Sequence, residues 1–206
     1  MKFKYFLLIL AILMVAGVIT YYDIILEIED QYFVESIDVS KPPLQQKARL
    51  MKINHKGYEL TSENSIIFRG KILNVHRYTN DDFAEISPID IGLGWDIMAD
   101  EKNLEKITVF QYSRAMYFNI SGYMIDKRTA YLYSANIHII PSNEDLEKIV
   151  LKLLKGDIVE LKGRLVDVKG EKFWRTTSLS RTDEGLGSTE ILWLEDIKIQ
   201  KRQEKY

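Results

Sequence analysis

Cysteine is absent from the 206 residues of this chain. Disulfide frameworks, thiolate metal sites and cysteine nucleophiles are therefore excluded. A surplus of positive charge is also missing, because 28 lysines and arginines face 30 aspartates and glutamates, for a formal net charge of −2. This balance argues against a protein that mainly neutralises the phosphates of a nucleic acid. Hydrophobic residues make up 46% of the chain, which is enough for one ordinary core.

The common motifs of metal and nucleotide enzymes are missing as well. The three histidines, His55, His76 and His138, are far apart in sequence, and none has the helical spacing of a metal site. The chain contains no P-loop, no Gly-x-Gly-x-x-Gly after a strand and no Gly-x-Ser-x-Gly elbow. We therefore expect no metal and no cofactor.

A single long apolar run, Tyr5–Tyr22, contains 18 consecutive residues without a charge. About 20 apolar residues are needed to cross a bilayer as a helix, so the run predicts a membrane anchor over residues 1–22. Lys2 and Lys4 precede the run, whereas six acids follow it before Lys41. By the positive-inside rule, this asymmetry predicts a single-pass protein of the inner (cytoplasmic) membrane with its N-terminus inside and its domain outside. The lipid bilayer is then the first expected partner.

A cleavable signal peptide is the alternative to an uncleaved anchor. Val15-Ala16-Gly17 has the small residues that a signal-peptide cleavage site requires. The Ala-x-Ala pattern is absent, however, and the apolar run continues through Val18 and Ile19. These features favour an anchor that stays attached to the domain.

Beyond the anchor, polar and acidic residues with Pro42-Pro43 predict a stalk or linker over residues 23–49. From residue 50 to 206 the dominant period of the hydrophobic pattern is two, which predicts a mainly β domain. About seven strands are expected, over residues 65–78, 106–112, 114–120, 129–140, 157–168, 172–179 and 190–199.

Two helices are expected among these strands. Residues 100–106 form a short candidate, and residues 142–155 form an amphipathic helix with Ser142 as its N-cap and Gly156 as its terminator. The strand over residues 157–168 changes phase at Gly163, as at a bulge. A helix that leads into a bent strand, a hairpin and another strand is typical of a small Greek-key barrel, so we expect an α+β, barrel-like fold, with an oligonucleotide/oligosaccharide-binding (OB-like) barrel as the commonest form. An irregular β-sandwich is the alternative.

The first candidate site lies on the expected strand around residues 131–140. Strict alternation places Ser134, Asn136 and His138 on one face. A serine and an imidazole are the residue types of a nucleophile and its base. Residues two apart on a strand are about 6.5–7 Å apart, however, and such dyads usually come from different elements. A hydrogen-bonded polar face is therefore the favoured interpretation, and no catalytic residue is assigned.

The second candidate site lies in residues 173–187, where Trp174 offers a stacking surface and Arg175 and Arg181 offer paired donors. Such a mixture suits a carbohydrate or an anionic ligand, although Arg181 could instead form a salt bridge with Asp183 or Glu184. Sequential strands are usually neighbours. We therefore predict one ligand or partner groove, lined by Asn136, His138, Trp174, Arg175 and Arg181.

Several segments, taken in order, resemble a family of uncharacterised bacterial proteins with an N-terminal membrane segment. They are ISPIDIGLGWDIM at 86–98, SANIHIIP at 134–141, GDIVELKGRLVDV at 156–168, WRTTSLSRTD at 174–183 and EILWLE at 190–195. The similarity covers about residues 58–199. It implies a bacterial origin and a shared domain, and it implies no activity. Thr189 stands where relatives often have cysteine, which weakens any thiol chemistry for the family.

The sequence therefore favours a membrane-anchored binding or assembly module of the cell envelope, with an envelope protein or a glycan as partner. A hydrolase of envelope polymers is the second hypothesis, with His138 as base and Ser134, Asp90 or Asp96 nearby in space. A nucleic-acid-binding OB-like protein is third, because the net charge opposes it.

The topology is directly testable. Protease added to intact spheroplasts should digest the domain that follows Tyr22, because the charge asymmetry places it outside the membrane. Immunoblotting for the C-terminus measures the digestion, and a cytoplasmic protein serves as the control for intact cells. A C-terminus that becomes cleavable only after lysis would show that the predicted orientation is wrong.

Overall fold

The computed structural model describes residues 10–21, 31–122, 125–171, 173–180 and 189–201. Ten strands lie in these ranges, namely β1 (Phe33–Val34), β2 (Leu44–His55), β3 (Tyr58–Arg77), β4 (Ile89–Gly94), β5 (Ile107–Tyr112), β6 (Ala115–Ile120), β7 (Ser134–Pro141), β8 (Ile158–Lys169), β9 (Trp174–Arg175) and β10 (Thr189–Gln200). The helices are α1 (residues 10–21), α2 (Glu101–Leu104), α3 (Lys127–Leu132) and α4 (Glu144–Val150), with a 3₁₀ turn at Asp96–Met98. The fold is therefore mainly β, as the sequence predicts.

Five strands pair in a closed circuit. β3 pairs with β4, β4 with β7, β10 with β8 and β8 with β3, all antiparallel, whereas β7 and β10 are parallel. The 20 residues of β3 allow it to pair with β2 over its first half and with β4 over its second half, while β8 lies along its other edge. The strands β1, β2 and β9 add to this circuit, and β5 and β6 form a separate two-stranded sheet.

The main core lies on the inner face of this circuit, and the helix α4 packs against this core. Alternation turns every second side chain of each strand inward, including Ile89, Ile91, Ile137 and Ile139. Leu146 of α4 packs in the same core. Two smaller cores lie outside it. One packs Phe83 and Ile86 of the β3–β4 loop against Val166, Val168 and Trp193, and the other packs the β5–β6 hairpin against Leu73 and Met98.

The bend predicted at Gly163 lies next to a bulge in the partner strand. Leu194 pairs with Gly163 and Asp196 pairs with Lys162, so Glu195 of β10 is the extra residue. A Cβ atom at Gly163 would lie 2.0 Å from the Trp193 carbonyl oxygen. Glycine is therefore required here by the close approach of the neighbouring backbone.

Three predicted elements differ from the structure. Residues 127–132 are helical, not extended, because the Asp126 carboxylate accepts a hydrogen bond from the Thr129 amide and caps α3. The helix α4 is capped by Asn143 instead of Ser142, and it ends at Val150, six residues before Gly156. The strand expected over 172–179 is reduced to Trp174–Arg175, because among the described residues 173–179 only these two pair with β8.

The start of the folded domain also differs from the prediction of a stalk up to residue 49. Phe33 and Val34 pair with the end of β10, and Tyr32 is buried in the main core. The strand β2 begins at Leu44 and pairs with β3 from its first residue. The sheet therefore recruits polar residues that the hydrophobic pattern assigns to a linker.

The predicted membrane anchor includes residues 5–9 and 22, which lie outside the described residues. Residues 10–21 are helical and exposed. In the ranges that the structure describes, no helix has both the length and the apolar character needed to cross a bilayer. The anchor therefore stays a prediction.

Candidate functional site

Polar side chains converge on the outer face of β4 and β7. Because Ile89, Ile91, Ile137 and Ile139 face inward, alternation turns Asp90, Asn136 and His138 outward. These three residues are nevertheless buried, with exposed fractions of 0%, 4% and 3%. They are covered by the β3–β4 loop (residues 78–88) and by the tip of the β5–β6 hairpin, as the contacts below show.

Arg114, at the tip of the β5–β6 hairpin, is the centre of this arrangement. Its Nε and Nη2 donate to the two carboxylate oxygens of Asp81 at 2.9 and 2.8 Å, in the forked geometry that arginine favours. Its Nη1 donates to Asp90 Oδ1 at 2.9 Å, and Nη2 also donates to the Ser87 carbonyl at 3.1 Å. One guanidinium thus joins the hairpin, the β3–β4 loop and the strand β4. We call Asp81, Asp90, Arg114 and His138 the Arg114 cluster.

Two aromatic rings complete the environment of this guanidinium. The Arg114 Cζ lies 3.8 Å from the centroid of the Tyr78 ring and 5.0 Å from that of Phe83. Both distances are within the range of cation–π contacts. The side chain of Arg114 is 6% exposed, so these contacts are largely shielded from water.

Arg114 and the preceding Ser113 have the left-handed backbone conformation. Ser113 and Arg114 have φ values of 50° and 60°, and they form the two-residue turn between the paired residues Tyr112 and Ala115. Such turns favour Asn-Gly, because side chains other than glycine disfavour this conformation by about 1–3 kcal/mol. The contacts of Arg114 offset this strain.

His138 lies against Asp90 in the next strand. Its Nδ1 is 2.7 Å from Asp90 Oδ1, in close contact but without the alignment of a hydrogen bond. The edge of the His138 ring faces Phe83, with 5.7 Å between the ring centroids. The buried Ser87 Oγ, whose carbonyl accepts from Arg114, has no hydrogen-bond partner in the described part of the chain. Unsatisfied polar atoms are rare in native proteins, and two of them, Ser87 Oγ and His138 Nδ1, belong to this site.

Two groups of the site have shifted pKa values. Burial and the negative charge of Asp90 raise the pKa of Tyr78, so its phenol stays protonated at neutral pH. Burial opposes the ionisation of Asp81, but the hydrogen bonds and the charge of Arg114 outweigh it and lower the pKa of that carboxyl group. Asp81 is therefore the ionised partner of Arg114.

A chain of amides continues the polar face beyond the Arg114 cluster. Asn74 Nδ2 donates to Gln111 Oε1 at 3.2 Å, and Gln111 Nε2 donates to Asn136 Oδ1 at 2.6 Å. Asn136 Nδ2 donates to the Arg114 carbonyl at 2.8 Å and lies 3.4 Å from the Thr189 hydroxyl. These bonds tie the hairpin to β3, β7 and β10.

An exposed aromatic and basic surface lies beside this buried face. Trp174 is 71% exposed, and the Arg175 Cζ lies 4.9 Å from the centroid of Phe83. The same Phe83 ring meets Phe173 edge-on at 5.8 Å. Phe83 therefore separates the buried guanidinium of Arg114 from the exposed guanidinium of Arg175.

The predicted groove is not one open surface. Asn136 and His138 lie under the loop and the hairpin, whereas Trp174 and Arg175 lie on the outside, and Phe83 stands between them. The fifth residue, Arg181, lies outside the described residues, as do Asp183 and Glu184. The structure thus divides the four described residues into a buried pair and an exposed pair, and the ligand groove stays a prediction.

The serine–histidine dyad is also absent from this geometry. The Ser134 hydroxyl donates to the Ala130 carbonyl at 2.6 Å, at the end of α3. Asp90 is adjacent to His138, as the second hypothesis expects, whereas Asp96 follows the opposite end of β4. Among the described residues, no group of three histidines, cysteines, aspartates or glutamates could hold a metal ion.

Sequence reasoning missed Arg114, Gln111 and Phe83. Arg114 lies in a turn between two strand patterns, where a single basic residue ordinarily marks a solvated position. The available signal was the turn itself, because Ser-Arg replaces the glycine-containing pairs that a two-residue hairpin favours.

Comparison of the chain with protein-family models, with curated proteins and with solved structures found no match.

The lowered pKa of Asp81 predicts an acid-dependent loss of stability. The folded pKa lies below the unfolded value, about 3.9, so the ionised carboxylate stabilises the fold above that pH. The contribution is lost as the pH falls through the folded pKa. Urea unfolding at several pH values should therefore give Asp81→Asn a constant deficit between about pH 7 and 5, and this deficit should close below about pH 4.

The exposed neighbour Asp82 provides the matched control. Asp82→Asn should follow the wild-type stability over the whole pH range. A deficit of Asp81→Asn that is as large at pH 3 as at pH 7 would contradict the assignment, because it would not depend on the charge of Asp81.

Proposed function

We propose that the closed five-strand circuit is an OB-like Greek-key barrel that serves as a binding module. Around the circuit the strands follow the order β3, β4, β7, β10 and β8, which is first, second, third, fifth and fourth in the chain. The crossover of the last two strands is a Greek-key feature, and the helix α4 lies between the third and fourth strands. Both features support this class of barrel over a sandwich.

The position of the candidate site supports a binding role. OB folds use the face of their second and third strands, with the loops that follow the first and fourth strands. Here those strands are β4 and β7, and those loops carry Phe83 and Trp174–Arg175. The single observation that carries the proposal is the contact of these two loops through Phe83 beside an exposed tryptophan.

The setting that we propose is the bacterial cell envelope. The apolar run Tyr5–Tyr22 supports an anchor in the cytoplasmic membrane, and the lysines before it and the acids after it support an external domain. The resemblance to bacterial proteins with an N-terminal membrane segment supports the same setting. The ligand is then a glycan or protein of the envelope, bound by stacking on Trp174 and by hydrogen bonds from Arg175.

The alternative functions gain less support. A hydrolase would need a nucleophile beside His138, but the Ser134 hydroxyl is bound elsewhere and Phe83 covers the imidazole. A nucleic-acid-binding module would need basic side chains along its face, whereas the Arg114 cluster pairs its one guanidinium with two carboxylates. The contact of His138 with Asp90 is the one feature that the hydrolase hypothesis expects, and without a nucleophile it does not favour that function over binding.

Binding through the exposed surface is testable with isolated peptidoglycan sacculi, which sediment and tolerate detergent. The full chain in detergent micelles should sediment with them. Trp174→Ala should lower the bound fraction at least about tenfold. A tryptophan that the partner covers at a binding hot spot contributes about 2 kcal/mol or more to the binding free energy.

Leu154→Ala is the control, since Leu154 is an exposed apolar residue that follows α4. It should bind like the wild type. Sedimentation that is equal for the wild type, Trp174→Ala and Arg175→Ala would contradict the proposed surface.

A further inference from the structure

The β5–β6 hairpin covers the outer face of β4 and β7 without joining its sheet. It forms a separate two-stranded sheet, and in the ranges described it makes no backbone–backbone hydrogen bond to the eight-stranded sheet. Isolated two-stranded hairpins are marginally stable, so the attachment depends on side chains. The base of this insertion is firmly held, because Trp95 is buried in the main core and its amide donates to the Tyr133 carbonyl at 3.0 Å.

The tip of the hairpin, residues 111–116, is held by three of its own side chains and by hydrogen bonds that Asn136 and Tyr131 donate to its carbonyl groups. Gln111 and Arg114 bind polar groups of β3, β4, β7 and the β3–β4 loop, as described above. Met116 lies over Gly92, where a Cβ atom would be only 2.7 Å from the methionine sulfur. The strand β4 therefore has a hollow that receives this side chain.

The closed tip leaves both strain and unsatisfied atoms. Both turn residues, Ser113 and Arg114, have left-handed backbones. Ser87 Oγ and His138 Nδ1 are buried without an aligned hydrogen bond in the described part of the chain. A closed state with such defects is easier to open than a fully satisfied one, and functional lids are drawn from regions of low local stability.

We propose that the tip is a lid over a second part of the binding site, and that the floor beneath it receives an uncharged oligosaccharide. The floor consists of Asn74, Asp90, Asn136 and His138, from three adjacent strands. This inference rests on the proposed function, and it extends the exposed surface of Trp174 and Arg175 under the hairpin.

The chemistry of the floor defines the ligand class. When the tip lifts, Arg114 leaves with it, and the carboxylates of Asp81 and Asp90 remain beside two amides. An anionic ligand is then repelled. The hydroxyl and acetamido groups of a sugar instead pair with carboxylates and amides, and they supply the donors and acceptors that the unsatisfied atoms lack. The Tyr78 and Phe83 rings, which Arg114 now covers, offer stacking surfaces.

A reversible lock tests this proposal. Because the chain has no cysteine, the double variant Gly92→Cys/Met116→Cys introduces the only two thiols. The two positions are neighbours, since a Cβ atom at Gly92 would lie 2.7 Å from the Met116 sulfur. Binding of the N-acetylglucosamine tetramer is measured by calorimetry. The reduced form should bind, and the oxidised form should lose at least about tenfold in affinity, because the open state is removed.

Two outcomes would overturn the inference. Equal affinity of the two redox forms would place the ligand outside the lid, and absence of binding by both the reduced form and the wild type would remove this floor as a sugar site. Neither outcome affects the sedimentation test of Trp174, so failure of the lid and failure of the proposed function are distinguishable.

A ligand-free measurement tests the opening itself. The single variant Met116→Cys should react with a thiol reagent at least about 100-fold faster than Ile137→Cys, whose side chain lies in the main core. The rate at 116 should also be independent of added urea at low concentration, as expected for a local opening. Equal rates at the two positions would show that the tip opens only when the whole domain unfolds.

Discussion

The guanidinium of Arg114 binds together segments that are distant in the chain. Its ion pairs reach Asp81 in the β3–β4 loop and Asp90 in β4, and its own turn carries the tip of the β5–β6 hairpin. Loss of one partner from a buried ion pair typically costs about 3–5 kcal/mol, because the remaining charge is left without compensation. The positions of the loop, the hairpin and the outer face of the circuit therefore depend on this one side chain.

The same interaction explains why the proposed binding face is divided into a buried and an exposed part. The Phe83 ring contacts the guanidinium groups of both Arg114 and Arg175, one buried and one exposed, so it marks the boundary between the interior and the surface. The exposed part carries Trp174, and the buried part carries His138 and Asn136. If the tip moves, the two parts become one continuous face, which connects the proposed binding module with the proposed lid.

The sequence predicted correctly the features that depend on local periodicity, namely the positions of several strands and the face on which their side chains lie. Alternation placed Ile137 and Ile139 opposite His138, and the strands β5 and β6 lie where the pattern indicates. It failed where one side chain outweighs the pattern, as when Asp126 caps a helix over residues with strand propensity. It also failed where tertiary partners decide, because the burial of Asn136 under a hairpin and the role of Arg114 depend on contacts between distant segments.

The strength of the ion pair between Arg114 and Asp90 tests most directly whether Arg114 holds the hairpin on the outer face of β4 and β7. A double-mutant cycle with Arg114→Met, Asp90→Asn and the combined variant, measured by urea unfolding, isolates the coupling between these two side chains. We expect a coupling free energy of about 2–3 kcal/mol, because both groups are shielded from water. Additivity to within about 0.5 kcal/mol would contradict the claim that this pair holds the hairpin and the outer face together.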